Sequence, residues 1–146
     1  MKLKYSHVDI VVRNLDEAVS YYQNVLGWKP SEELKWKNPN FDVRYKVMYN
    51  SNNGDRDKIV FVEPKAGALL NVLQEQGEGT IYRLCYYTED IEECYDELKA
   101  KGVNPEDVIG NQMRNGDFGG PAGERSLWLP RKYRNLSIEF IENKEH

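Results

Sequence analysis

His7-Val8-Asp9-Ile10-Val11-Val12-Arg13-Asn14-Leu15-Asp16-Glu17 returns later in the chain as Arg83-Leu84-Cys85-Tyr86-Tyr87-Thr88-Glu89-Asp90-Ile91-Glu92-Glu93. Each copy reads as a strand that runs into a capped helix; in the first, Asn14 opens the helix with Glu17 three residues on, the capping-box spacing. A second echo follows in each half, Ile59-Val60-Phe61-Val62-Glu63 against Ile138-Glu139-Phe140-Ile141-Glu142. The duplication therefore covers most of the chain, and it brackets four positions: His7, Val60, Arg83 and Glu139.

Working outward, Tyr5 to Val12 is rich in β-formers. Leu15, Ala18, Val19, Tyr22, Val25 and Leu26 keep a 3.6-residue period, which predicts one buried helical stripe, and Gly27 supplies the stop. Strands are expected around Lys29 to Trp36, Phe41 to Tyr49 and Lys58 to Glu63, separated by Asn38-Pro39-Asn40 and by the polar turn Ser51-Asn52-Asn53-Gly54-Asp55. This is a βαβββ order. A linker with a short helix, Leu69 to Glu75, leads to the second copy: strand Ile81 to Tyr87, helix Asp90 to Lys101 ending at Gly102, then strands near Asp107 to Asn111, Arg125 to Leu129 and Leu136 to Glu142. Asn111 to Glu124, with its four glycines, reads as a mobile loop. The expected organisation is α+β, one domain over 1–146 built from module 1 (4–64), a linker (65–79) and module 2 (80–143).

Composition narrows the function classes. A 146-residue chain with 40% hydrophobic content suits a compact globular domain. A net charge of -4 and a pI near 5.3 argue against a nucleic-acid partner, because phosphate neutralisation needs a basic face; the cluster Arg131-Lys132-Tyr133-Arg134 is too short to reverse that. No apolar run approaches the ~20 residues of a bilayer span, and the start lacks the apolar core of a signal peptide, so a cytoplasmic location is expected. Cys85 and Cys94 fall in different element types without a Cys-x-x-Cys pair, which fits reduced thiols. With His7 and His146 the only histidines, a multi-histidine metal site is excluded.

Paired βαβββ modules, a His-Val-x-Ile-x-Val strand entering a helix and a closing Ile-Glu-Phe resemble the vicinal oxygen chelate superfamily, which contains glyoxalase I, bleomycin-resistance proteins, extradiol dioxygenases and methylmalonyl-CoA epimerase. Gly77-Glu78-Gly79, the Thr88-Glu89-Asp90-Ile91 corner and Trp128-Leu129-Pro130 are most similar to the epimerases. The resemblance implies a cup-shaped, half-open mixed barrel, a homodimer, and metal ligands at the four positions here occupied by His7, Val60, Arg83 and Glu139. Only two of these carry donor atoms. Arg83 has no lone pair and would repel a cation, so the expectation is no metal cofactor, with Arg83 supplying the missing positive charge and pairing with Glu139. Were a divalent ion bound, His7 and Glu139 would hold it. Between Lys37 and Asp42 no glutamate stands where an epimerase base is expected, which counts against methylmalonyl-CoA epimerisation.

Residues two apart on a strand share a face. Asp9 and Val11 should therefore accompany His7, and Cys85 and Tyr87 should accompany Arg83. The candidate catalytic residues are His7, Asp9 and Glu139; Arg83, Tyr87, Arg44, Tyr45, Val60 and Trp128 are candidates for binding an anionic or aromatic small molecule. Each has a bland counterpart: a structural ion pair for Arg83 and Glu139, a core histidine, a rim carboxylate for Asp9, a solvated edge charge for Arg44, core aromatics, and an inert buried thiol for Cys85. Three functions remain in view. The first is acid–base isomerase or lyase chemistry on a small organic acid or carbonyl compound. The second is non-catalytic binding of the bleomycin-resistance type. The third is a metal-dependent epimerase, lyase or dioxygenase.

Overall fold

A computed structural model of the chain describes residues 1–52, 57–120, 123–131 and 137–144. Residues 53–55 of the polar turn, Lys132-Tyr133-Arg134 of the basic cluster, Leu136 at the start of the last expected strand, 121–122 of the glycine-rich loop and His146 lie outside these residues. Eight strands and three helices are formed among them. The chain divides into two compact units, one spanning His7–Tyr82 and the other combining Met1–Ser6 with Arg83–His146.

In the His7–Tyr82 unit, β1 (Lys4–Val11, of which the part from His7 belongs here) pairs in parallel with β5 (Lys58–Gly67). β5 pairs antiparallel with β4 (Phe41–Tyr49), and β4 carries both β2 (Lys29–Pro30) and β3 (Leu34–Asn38). Helix α1 (Leu15–Leu26) lies on one side of this sheet, burying Leu15 and Val19 with Val12, Met48 and Phe61. The periodic stripe predicted for α1 is only partly buried: Val25 and Leu26 are 60% and 52% exposed, so the last turn does not face the core of its unit. The expected strand from Lys29 to Trp36 is broken into β2 and β3. Pro30 has no N–H to donate, and Ser31 takes over the pairing, its N–H donating to the Val47 carbonyl (2.7 Å) and its Oγ accepting from the Val47 N–H (2.9 Å). The Asn38 carboxamide oxygen accepts from the N–H groups of Asn40 and Phe41 and so closes the β3–β4 turn.

The second unit repeats the plan. β6 (Ile81–Thr88, from Arg83 onward) pairs in parallel with β8 (Ser137–Glu142), and β8 pairs antiparallel with β7 (Ser126–Trp128). Helix α3 (Ile91–Ala100) buries Ile91, Cys94, Tyr95 and Leu98 against Leu127 and Phe140. The short linker helix forms as α2 (Ala68–Gln76), one residue longer at each end than expected. The strand expected at Asp107 to Asn111 does not form. The Asp107 carboxylate accepts from the N–H groups of Ile109 and Asn111 at 3.0 and 2.9 Å, and Gly110 takes a φ of 90°, so these residues make a tight turn. Only Glu106, just before the turn, bridges to Gln112 and to Trp128.

Both helix starts are capped twice, in the same way. Asn14 accepts from Glu17 N–H, as the sequence predicts, and Asp90 accepts from Glu93 N–H. The first helical N–H groups, of Leu15 and Ile91, donate instead to Glu63 (3.0 Å) and Glu142 (3.2 Å), the duplicated glutamates at the ends of the Ile-Val-Phe-Val-Glu and Ile-Glu-Phe-Ile-Glu stretches. A carboxylate at a helix N-terminus meets both an orphan donor and the positive end of the helix dipole. The repeat thus preserves a strand-to-helix brace in each module.

Candidate functional site

Register decides which side chains turn away from the helices. In the His7–Tyr82 unit, Asp9 stands beside Val60, Val60 beside Val47, and Val62 beside Tyr45. His7, Asp9, Val60 and Tyr45 therefore share the face opposite α1. His7 Nε2 lies 3.0 Å from Asp9 Oδ1, both side chains being largely buried. An imidazole held by a neighbouring carboxylate against a valine-rich wall is suited to taking up or returning a proton.

Arg44 is not on that face. As the immediate neighbour of Tyr45 it points to the helix side, where it contacts Asp16 (3.0 Å), Glu33 (3.3 Å) and Glu63 (3.5 Å). Desolvation opposes its charge, but these carboxylates outweigh it and hold Arg44 above the ordinary guanidinium pKa. Arg44 and Tyr45, both candidates for ligand binding, thus stand on opposite faces of β4. Arg125 is its counterpart in the second unit, held up in pKa by Glu92 and Glu142 at 2.8 Å each. Arg44 and Arg125 belong to the braces at the helix starts.

In the second unit, the face opposite α3 carries Arg83, Cys85 and Tyr87 from β6, Ser137, Glu139 and Ile141 from β8, and Ser126 and Trp128 from β7. Arg83 Nη1 lies 3.3 Å from Glu139 Oε1, and their exposures of 8% and 2% place the pair in the interior. The guanidinium also sits 5.8 Å above the Trp128 ring, a cation–π distance. Cys85 is fully buried with Sγ 3.5 Å from the same Glu139 oxygen. One transverse row runs Cys85, Glu139, Trp128, Glu106. The sequence reading singled out the first three and missed Ser126 and Glu106. Alternation from Trp128 would have found Ser126; Glu106 is placed only by an isolated bridge.

The fit of this half to a divalent ion is poor. Glu139 has a suitable oxygen and Cys85 a soft donor, but the position of Arg83 is filled by a cation with no lone pair, already against Glu139. In the other unit His7 and Asp9 each offer a donor and Val60 offers none. A pocket of ≈650 Å3 in the second unit lies away from Arg83 and Glu139, lined by Met1–Lys4, the Tyr87–Asp90 corner and Cys94. Of the candidate residues only Tyr87 reaches it.

Comparison with known proteins follows the same lines. The chain is 26% identical over 141 residues to an ethylmalonyl-CoA/methylmalonyl-CoA epimerase of Cereibacter sphaeroides, covering 94% of this chain and 96% of the relative. Among solved structures, a hypothetical protein of Bacillus halodurans C-125 matches with a TM-score of 0.76 and 25% identity, covering 100% of this chain and 98% of that one. A methylmalonyl-CoA epimerase of Mycobacterium tuberculosis matches with a TM-score of 0.73 and 21% identity, over 95% and 87% of the two chains. These likenesses establish the glyoxalase-like α+β fold. The family model of the glyoxalase/bleomycin resistance protein/dioxygenase superfamily matches residues 6–122, and the chain belongs to that superfamily.

Proposed function

We propose that this protein is an acid–base isomerase or lyase of a small carboxylic acid or carbonyl compound, with acyl-CoA thioesters as the substrate class, working without a metal ion. The buried Arg83–Glu139 pair carries this reading, because it puts a fixed positive charge at a position where relatives of this fold would place a metal ligand. In this mechanism His7 is the group that takes up and returns the proton and Asp9 orients its imidazole, while Arg83, held against Glu139, supplies a fixed positive charge. The substrate class is drawn from the epimerase relative, which is named for ethylmalonyl-CoA and methylmalonyl-CoA.

The test is exchange of the α-proton of methylmalonyl-CoA, and of propionyl-CoA, in deuterated buffer. Exchange by chelator-treated protein, lost in His7→Ala while binding is retained, is expected. Near-stoichiometric divalent metal in protein purified without chelator, released by His7→Ala, would overturn the metal-free mechanism. Binding without exchange would favour the second reading, a non-catalytic small-molecule binder, which the apolar wall of Val47, Val60 and Val62 beside Tyr45 also suits.

A further inference from the structure

Two buried hydrogen-bond donors on the face opposite α3 find no acceptor among the described residues: the Ser126 hydroxyl and the Trp128 indole N–H. Their residues are 0% and 4% exposed. They lie two apart on β7, which puts both side chains on the face that carries Arg83 and Glu139. Tryptophan and serine placed in an interior normally find a partner for their polar atom. Loose placement does not explain the exception, since the Trp128 backbone N–H and carbonyl are both bonded to Glu106, at 2.9 and 2.8 Å, and the next residue, Leu129, donates its N–H to the Ile138 carbonyl of β8 at 3.0 Å. The neighbouring loop lies close against Ser126: a β-carbon on Gly120 would stand 2.9 Å from Ser126 Oγ.

We propose that Ser126 and Trp128 form the subsite that receives the carbonyl oxygen of the ligand, a deepening that rests on the acyl-thioester reading above. A carbonyl oxygen has two lone pairs and accepts two such bonds. The Arg83 cation over the ring draws electron density from the indole and strengthens its N–H as a donor. A neutral acceptor fits better than a carboxylate, because Glu139, in register with Trp128, already carries the negative charge that Arg83 balances, and a second anion there would repel it. Ser126 and Trp128 are thereby specificity-determining residues that read the thioester.

The experiment follows the three indole N–H resonances of 15N-labelled protein, with Trp128 assigned by Trp128→Phe, during titration with propionyl-CoA, S-propyl-CoA, which lacks the carbonyl, and free methylmalonate. A downfield shift of the Trp128 signal with propionyl-CoA and none with S-propyl-CoA is expected. Trp128→Phe and Ser126→Ala should each weaken propionyl-CoA binding about tenfold while leaving S-propyl-CoA binding unchanged. Gly120→Ala, which crowds Ser126, should weaken it as well. A Trp128 shift with methylmalonate alone, or with no probe, overturns the subsite, as does unchanged thioester affinity in both donor variants. Proton exchange that survives with no Trp128 shift would sink this subsite and leave the proposed reaction standing. A Trp128 shift with propionyl-CoA but no exchange would do the reverse.

Discussion

Replacing Arg83 by methionine keeps much of the side-chain volume and removes the cation from Glu139. Glu139 is 2% exposed and sits 3.3 Å from the guanidinium. A buried pair broken on one side leaves an uncompensated charge and costs about 3–5 kcal/mol. An unfolding entropy of about 2.1 cal/mol/K per residue gives about 0.3 kcal/mol/K for 146 residues, so the melting temperature of Arg83→Met should fall by about 10–16 °C. The double variant Arg83→Met/Glu139→Met replaces the whole pair by apolar side chains, and such exchanges are neutral or stabilising, so it should return to within a few degrees of wild type. Thermal and urea unfolding of the four proteins of this cycle, followed by circular dichroism, measures the coupling directly. Loss of less than about 3 °C in Arg83→Met, or a double variant no more stable than the single one, would refute the reasoning: the pair would then be screened by solvent, and Arg83 could not stand in for a metal's charge.

Three further outcomes follow from the same contacts. Arg83→His removes the repelling cation and places an imidazole beside Glu139, so titration with Co2+ should develop the visible absorption of the bound ion in this variant and not in wild type. Glu142→Ala takes the acceptor from the buried Ile91 N–H and a partner from Arg125; it should cost about 1–3 kcal/mol and speed amide exchange at the first turn of α3, with Glu142→Gln recovering part, and unchanged exchange at Ile91 would count against the brace. Burial raises the Cys94 thiol pKa, with the Thr88 hydroxyl opposing. Its contribution to stability is complete below the unfolded thiol value and is lost as pH rises from about 8.5 toward the folded pKa, so urea unfolding between pH 7 and 10 should show a steeper alkaline loss in wild type than in Cys94→Ala.

Much of the fold could be read from local pattern. The start of α1 after Asn14 and the full length of β4 were written in capping and strand-forming residues, because these depend on neighbours a few residues away. The failures were equally local in origin. Asp107 and Gly110 form a turn inside a stretch that looks β-rich, and Pro30 with Ser31 divides what reads as one strand. The candidate site was legible as a set of types, His7 with Asp9 and Arg83 with Glu139, since both pairs sit on duplicated strands. It was not legible as a set of directions. Arg44 and Tyr45 both looked fit for a ligand, and only the pairing of β4 with β5 assigns Tyr45 to the open face and Arg44 to the helix brace.

The sequence by itself determined the duplication, most of the order of elements in each copy, and the presence of Val60 and Arg83, which offer no lone pair to a metal, at the repeated positions they share with His7 and Glu139. These are matters of identity and spacing along the chain. Only the tertiary structure decided what the duplicated glutamates do and which polar groups are buried. Glu63 reaches the start of α1 across 48 residues, and Glu142 reaches α3 across 51. The seclusion of Ser126 and Trp128 likewise depends on β8 and Glu106 closing on β7. Burial and long-range hydrogen bonds are properties of packed surfaces, which alternation along one strand can suggest but cannot fix.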